Sequence, residues 1–157
     1  MDRRVVVTGI GLITSIGDGV DATWNNLLSC KSGIKKINSF DVTNMPCKIA
    51  GFISNDKNST NYINLNKYIE NKDIKRNDRF IQYGLVAANL AVNDSGIDDL
   101  NDEKKLRIGV TVGSGIGGLE TIYQNSLILK DRGPRKISPF FVPAALINLL
   151  SGQISIK

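Results

Sequence analysis

Two short β-branched runs, each ending at a glycine, constrain the fold of this sequence most. Val5–Thr8 precedes Gly9, and residues 107–112 precede a glycine-rich stretch at 113–118. Continuous apolar runs of this length predict strands that are covered on both faces, as in a parallel sheet. Each run is followed by a predicted helix, so the repeated strand and helix pattern indicates an α/β architecture.

Four helices are predicted from the spacing of apolar residues and from end signals. They cover about 20–28, 78–94, 119–130 and a stretch that begins near Pro143. The second is the clearest, since Ser95 and Gly96 provide a stop signal after a long apolar stripe. Its small residues predict close packing on a neighbour; they are Gly84, Ala87, Ala88 and Ala91.

Two strands are too few for a stable parallel sheet between helices. The sequence has 157 residues, the length of one ordinary domain. We therefore expect residues 1–157 to be one segment of a longer layered fold, or a chain that obtains its missing layers from a partner.

Between the helices, residues 34–62 are predicted to form loops around a weak strand at 48–53. The asparagine-rich stretch 54–66 is expected to be exposed and mobile.

The complete absence of histidine limits the chemistry of this chain. Ser/His/Asp and Cys/His mechanisms are excluded for the chain alone, as is any His-bearing metal site. Cys30 and Cys47 lack the spacing of a zinc site or of a secreted disulfide framework, so no metal site and a cytoplasmic location are predicted. The apolar run 140–150 is too short to span a bilayer. The apolar stretch near the start is broken by Gly9 and Gly11, unlike a signal peptide.

The stretch Gly113–Gly118 satisfies the pattern G-x-G-x-x-G after a predicted strand and before a predicted helix. A dinucleotide site also needs an acidic residue about twenty positions later, at the end of the next strand. The nearest candidate, Asp131, follows the glycines with no intervening strand. Two interpretations stay open: a nucleotide-binding turn, and a tight crossover packed against other backbone.

Two clusters of positive charge stand out in a chain whose net charge is +5. The first contains Lys72, Lys75, Arg76 and Arg79, and the second contains Lys130, Arg132, Arg135 and Lys136. Each cluster is either a solvated face or a surface for an anionic partner. Interleaved aromatic residues of the kind that bind single-stranded nucleic acid are absent from the sequence, so a nucleic-acid partner is not predicted.

Five segments together are similar to one known family. They are 4–11 (RVVVTGIG), Trp24 with Leu27–Leu28 and Ser32–Ile34, 80–84 (FIQYG), 113–118 (GSGIGG) and 133–143 (GPRKISPFFVP). In order and spacing they resemble the amino-terminal part of the 3-oxoacyl-(acyl-carrier-protein) synthases, which are condensing enzymes of fatty-acid synthesis. The likeness covers residues 1–157 and is closer to synthase II than to synthase I. Residues 54–68 match least.

This resemblance implies a thiolase-like α/β fold of stacked layers, of which this chain would be the incomplete amino-terminal half, usually in a homodimer. It also implies a decarboxylative condensation in which acyl and malonyl groups arrive on the phosphopantetheine arm of acyl carrier protein, with no other cofactor. In the family, the nucleophilic cysteine and two catalytic histidines lie downstream of the position that matches Lys157. No catalytic residue is therefore assigned within residues 1–157, and we expect the chain alone to be inactive.

The resemblance assigns binding surfaces to this chain. Ile116 and Phe141 match positions that line or gate the acyl-chain pocket. The basic positions against which the acidic carrier protein docks are matched by Lys72, Lys75, Arg76, Arg135 and Lys136. A non-catalytic relative, such as a chain-length factor, and a gene remnant without function are the remaining alternatives.

Overall fold

The computed structural model describes residues 4–59 and 61–157. The elements are β1 Ile13–Thr14, β2 Gly17–Asp18, α1 Gly19–Leu28, β3 Ile34–Lys36, β4 Ile49–Gly51, α2 Asn71–Ile74, α3 Arg79–Ser95, α4 Asp102–Lys105, α5 Leu119–Arg132, α6 Phe141–Ala145 and α7 Asn148–Ile156. Single turns of 3-10 helix lie at Leu65–Lys67, Ile97–Asp99 and Pro134–Lys136. Within the described ranges, no helix has the length and apolar character needed to cross a bilayer.

Helix α3 is the centre of the fold and confirms the clearest helix prediction. Its first turn is capped by Asp78, whose Oδ1 accepts from the backbone N–H of Phe80 at 3.3 Å. It ends at Gly96, which adopts the left-handed conformation with φ of 69°. Its buried face joins α7 and the segment before α2 in one apolar core, formed by Ile63, Ile69, Ile81, Leu85, Val86 and Leu150.

The small residues of α3 do receive close neighbours, as predicted. At Gly84 a Cβ would meet the side chain of Leu150 in α7. The amino-terminal segment crosses α3 so closely that a Cβ on Gly11 would overlap the backbone at Ala87. The backbone N–H of Ile10 also donates to the carboxylate of Asp94 at 2.8 Å. Small side chains along one side of α3 therefore allow two segments to lie directly on its backbone.

The two predicted buried strands are not strands in this structure. Residues 5–8 and 108–114 have no regular secondary structure, and Val5 and Val7 are 87% and 80% exposed. A β-branched run becomes a strand only where a neighbouring strand accepts its main-chain hydrogen bonds. Among the described residues, the strand pairs are the short antiparallel β1–β2 and β3–β4. The apolar face of α1 is also uncovered, with Trp24 59% exposed.

The region between α1 and α2 is more ordered than its sequence predicts. The weak strand expected at 48–53 is present as β4, and it pairs with β3 in a register that places Lys36 opposite Ile49. The prediction of an exposed stretch at 54–66 is wrong for Asn61 and Ile63, which are 1% and 5% exposed. The Nδ2 of Asn61 donates to the carbonyls of Ser15 and Phe52, both at 2.8 Å. Thr60, in the same stretch, lies outside the described residues.

Candidate functional site

A polar cleft of about 350 Å³ lies between the start of α3, the first half of α5 and the segment that leads into α6. Lys75, Arg76 and Arg79 line one side of this cleft. The other side contains Asn125 of α5 and the segment that includes Phe140. The backbone N–H of Ser138 donates to Asn125 Oδ1 at 3.3 Å, which ties that segment to α5. The cleft therefore combines positive charge with several neutral hydrogen-bonding groups.

The basic loop 74–77, which runs from the last residue of α2 toward α3, is held by hydrogen bonds from the buried side chain of Gln82. This glutamine is 8% exposed, and its Nε2 donates to the carbonyl of Ile74 at 2.8 Å and to that of Asn77 at 2.7 Å. The side chain of Asn77 then forms a reciprocal amide pair with Gln153 of α7, both bonds being 2.9 Å. Sequence analysis missed these three polar residues, although the position of Gln82 on the buried stripe of α3 is a signal that could have identified it.

Arg76 connects the two basic clusters. Its guanidinium lies over the ring of Phe140, with 4.7 Å between Cζ and the ring centroid, in a cation–π contact. Because Phe140 follows the turn at 134–136 by four residues, this contact places the first basic cluster beside the second. Of the predicted docking residues, Lys75 and Arg76 line the cleft, whereas Arg135 and Lys136 are exposed in the adjoining turn.

Two of the remaining cations near the cleft are paired with carboxylates. Lys72 Nζ lies 2.7 Å from Glu70, and this hydrogen bond lowers the pKa of Glu70 and raises the pKa of Lys72. Arg79 Nε lies 3.3 Å from Glu120, beside Tyr83, whose pKa is raised by burial. In the described part of the chain, Lys75 and Arg76 have no carboxylate within 4.0 Å. Their charge is therefore available to an anionic partner.

An apolar groove of about 660 Å³ adjoins the polar cleft. Ile116 and Phe141, which the sequence analysis assigned to an acyl pocket, both line this groove. Phe141 lines the polar cleft as well, so the two cavities share this residue. The rest of the groove lining is mainly aliphatic and includes Val112, Ile122, Val142 and Leu146. A ligand with a charged end and an apolar chain suits this arrangement.

The glycine-rich stretch packs against the backbone of α6. Gly117 has a φ of 81°, and the N–H of Gly118 donates to the carbonyl of Ala145 at 3.0 Å. The first turn of α5 is capped from another helix, since the N–H of Thr121 donates to Asp78 Oδ2 at 2.9 Å. A carboxylate therefore already lies where a nucleotide-binding helix would receive a pyrophosphate. This geometry favours the tight-crossover interpretation of the turn.

Close backbone contact at the turn gives a testable consequence for stability. A Cβ on Gly118 would lie 2.7 Å from Ala145 Cα and 2.8 Å from the carbonyl oxygen of Ala144. We expect Gly118→Ala to lower the free energy of unfolding by about 1–3 kcal/mol, because backbone atoms must move apart. Gly152→Ala is the matched control, since nothing lies within 4 Å of a Cβ at this position in α7. It should raise the free energy of unfolding by about 0.5–1 kcal/mol. Urea unfolding measures both, and equal effects would contradict this close packing.

Comparison with known proteins identifies the family. Residues 2–157 match the beta-ketoacyl synthase N-terminal domain. This chain belongs to the beta-ketoacyl synthase family. This chain, called the synthase domain below, is 44% identical over 154 residues to the 3-oxoacyl-(acyl-carrier-protein) synthase 2 of Vibrio cholerae. The match covers 98% of this chain and 35% of that protein. The synthase domain is 43% identical over 155 residues to the protein of the same name from Staphylococcus aureus, covering 99% of this chain and 36% of that protein. The chain thus spans about a third of the length of these relatives.

Solved structures confirm the predicted thiolase-like α/β class. The synthase domain superposes on the ishigamide ketosynthase/chain length factor with a TM-score of 0.77 and 27% identity, over 99% of this chain and 37% of that chain. It also superposes on one chain of a complex, with a TM-score of 0.66 and 25% identity. That complex is a type II PKS acyl-carrier protein with its ketosynthase bound to the hexaketide. That match covers 96% of this chain and 37% of that chain. The path of the chain is therefore that of a ketosynthase, although residues 5–8 and 108–114 lack strand pairing in this structure.

Proposed function

We propose that residues 1–157 form the amino-terminal segment of a fatty-acid-elongating condensing enzyme. In the proposed reaction, an acyl carrier protein and a malonyl carrier protein give 3-oxoacyl carrier protein, carbon dioxide and the carrier protein that delivered the acyl group, released with a free thiol. The observation that carries this proposal is the family match over residues 2–157, together with relatives named 3-oxoacyl-(acyl-carrier-protein) synthase 2. The substrates arrive on the phosphopantetheine arm of acyl carrier protein, and the proposal includes no other cofactor.

In this proposal five residues of the two basic clusters form the docking surface for acyl carrier protein. The surface consists of Lys72, Lys75, Arg76, Arg135 and Lys136. The contact of Arg76 with Phe140 supports it, because this contact places both clusters beside one cleft. A further support is the ketosynthase whose solved structure contains its acyl-carrier protein. Complementary charge at such a rim increases the rate of encounter more than the final affinity.

Ile116 and Phe141 are proposed to form part of the wall that contacts the acyl chain. Both line the 660 Å³ groove, and Ile116 exposes 64% of its surface. An acyl chain that covered this groove would remove apolar surface from water, which is favourable by about 25 cal/mol per Å². The position of Phe141 between the groove and the polar cleft would let a carrier-bound chain reach the groove from the docking surface.

The chemical step is proposed to depend on residues outside this segment. The sequence contains no histidine, and its two cysteines are free, exposed and in irregular segments after α1 and before β4. Neither cysteine lies at the amino terminus of a helix, and the sequence contains no histidine that could act as its general base. We therefore propose that this segment binds and orients the carrier-bound acyl group, while the remainder of the enzyme catalyses the condensation. A homodimer and a cytoplasmic location stay predictions.

A chimera tests the proposal. Residues 1–157 replace the aligned segment of the Vibrio cholerae relative, which is 44% identical to this chain. We expect the chimera to condense acyl and malonyl carrier proteins, with release of carbon dioxide as the measured product. Thermal unfolding shows separately whether the chimera folds. A folded chimera without activity would contradict the proposal and favour the alternative of a non-catalytic relative.

A larger side chain in the groove should shorten the acceptable acyl chain. We expect Ile116→Trp in the chimera to lower kcat/KM for the longest acyl substrates about tenfold while leaving short ones nearly unchanged, because the indole fills space that a long chain needs. Leu106→Trp is the control, since Leu106 is 88% exposed and does not line the groove. An equal loss for short and long substrates would show that the groove does not bind the chain.

A further inference from the structure

The loop 74–77 is anchored on both sides of Arg76. The carbonyls of Ile74 and Asn77 accept from Gln82, and the backbone N–H of Arg76 itself donates to the carbonyl of Asp73 at 3.2 Å. The backbone around Arg76 is thus fixed to helix α3 by a buried side chain. Fixing the backbone does not fix the side chain of Arg76, which has several rotatable bonds and is solvent-exposed.

The amide pair of Asn77 and Gln153 lies beside the contact between Arg76 and Phe140. All four residues line one small cleft of about 300 Å³, which also contains Pro143. Two hydrogen bonds of 2.9 Å join the loop to α7. Because only Leu146 and Ile147 separate α7 from α6, these bonds also restrict the distance between the loop and the segment 140–143. A change in that distance would move the guanidinium away from the ring.

We propose that Asn77 and Gln153 are positioning residues that hold Arg76 over Phe140 in the orientation required for docking. The inference rests on the proposed docking function of Arg76. A cation that is ordered before its partner arrives loses less conformational freedom on binding than a mobile one. The reciprocal amides therefore increase the contribution of Arg76 to docking, although their hydrogen bonds are to each other.

The first test measures the position of Arg76 by NMR on the full chain. A guanidinium held over a ring has side-chain proton signals shifted by the ring current. We expect Asn77→Ala and Gln153→Ala each to remove most of this shift. The exchanged pair, Asn77→Gln with Gln153→Asn, keeps the combined length of the two amides and should restore it. The methyl signals of Ile81 and Val86 show whether the core is intact in each variant. An unchanged Arg76 signal in the single variants would overturn the inference.

The second test measures binding of purified acyl carrier protein to the same variants. We expect Arg76→Ala and Asn77→Ala each to raise Kd about fivefold at low salt, and the double variant to raise it no more than Arg76→Ala alone. Additive losses would show that Asn77 acts independently of Arg76, which contradicts the inference. If the unchanged chain does not bind carrier protein while the NMR shifts respond as expected, the proposed docking function fails and the positioning of Arg76 stands.

Discussion

Reversing the charge of Arg135 and Lys136 to glutamate in the chimera should lower kcat/KM for carrier-bound acyl groups about tenfold at low ionic strength. Both residues are exposed in the turn at Pro134–Lys136, next to the segment that lines the polar cleft. A change of four charge units within the proposed docking surface would convert attraction of an acidic partner into repulsion. Since the encounter slows while the chemical step is untouched, kcat at saturating carrier protein should change little.

The control is the same charge reversal at Lys104 and Lys105. These residues are exposed in the short helix α4, outside the residues that line the polar cleft. The effect of the docking variant should shrink as salt is added, since the Debye length is about 10 Å at 0.1 M. Acyl groups supplied on a small thioester should be turned over equally by both variants. Unchanged turnover with carrier-bound acyl groups would show that the docking assignment is wrong.

Replacing Asp78 with alanine should lower the free energy of unfolding by about 2–4 kcal/mol. One carboxylate caps two helices here, through Phe80 N–H at 3.3 Å in α3 and Thr121 N–H at 2.9 Å in α5. A single exposed cap contributes about 0.5–2 kcal/mol. Asp78 is 8% exposed, so its loss leaves two donors with little access to water. The midpoint and slope of urea unfolding measure the change.

Two further variants test whether the loss of stability in Asp78→Ala comes from a shared cap. Asp78→Asn keeps one acceptor oxygen and should lose about half as much stability as the alanine variant. Asn101→Ala removes an exposed cap that accepts one bond, from Lys104 N–H at 3.1 Å in α4, and should cost about 0.5–1 kcal/mol. If Asp78→Ala destabilised the chain no more than Asn101→Ala, the two helices would not share a cap.

Helix α3 could be predicted because every local signal agreed. Asp78 precedes it, Gly96 follows it, and apolar residues such as Ile81 and Leu85 recur on one side. The packing of Gly84 also followed from the absence of a side chain there. Such features depend on residues a few positions apart, and the sequence shows them directly.

The strand predictions at residues 5–8 and 107–112 failed because the partner of a strand is not a local property of the sequence. Val5–Thr8 has the composition of a buried strand, yet its side chains lie largely in solvent in this structure. Conversely, Asn61 and Ile63 belong to an asparagine-rich stretch and are buried. A residue becomes buried when distant segments cover it, and Asn61 depends on Ser15, 46 positions earlier.

The candidate site was predictable in its residue types and less so in its arrangement. Both proposed pocket residues line one groove, and two of the proposed docking residues line the cleft beside it. The amide pair between Asn77 and Gln153 spans 76 positions, and no spacing rule connects them. Neutral amides have no distinctive pattern in a sequence, so this pair is visible only in the geometry.

The hydrogen bonds that the buried Gln82 donates to the loop 74–77 also affect the electric field outside the protein. Because the carbonyl dipoles of Ile74 and Asn77 direct their negative ends toward the interior, they do not offset the positive field of Lys75 and Arg76. An approaching anion therefore meets the charges of Lys75 and Arg76 without repulsion from these two carbonyl oxygens. A neutral glutamine in the core makes the surface above it more attractive to negative charge.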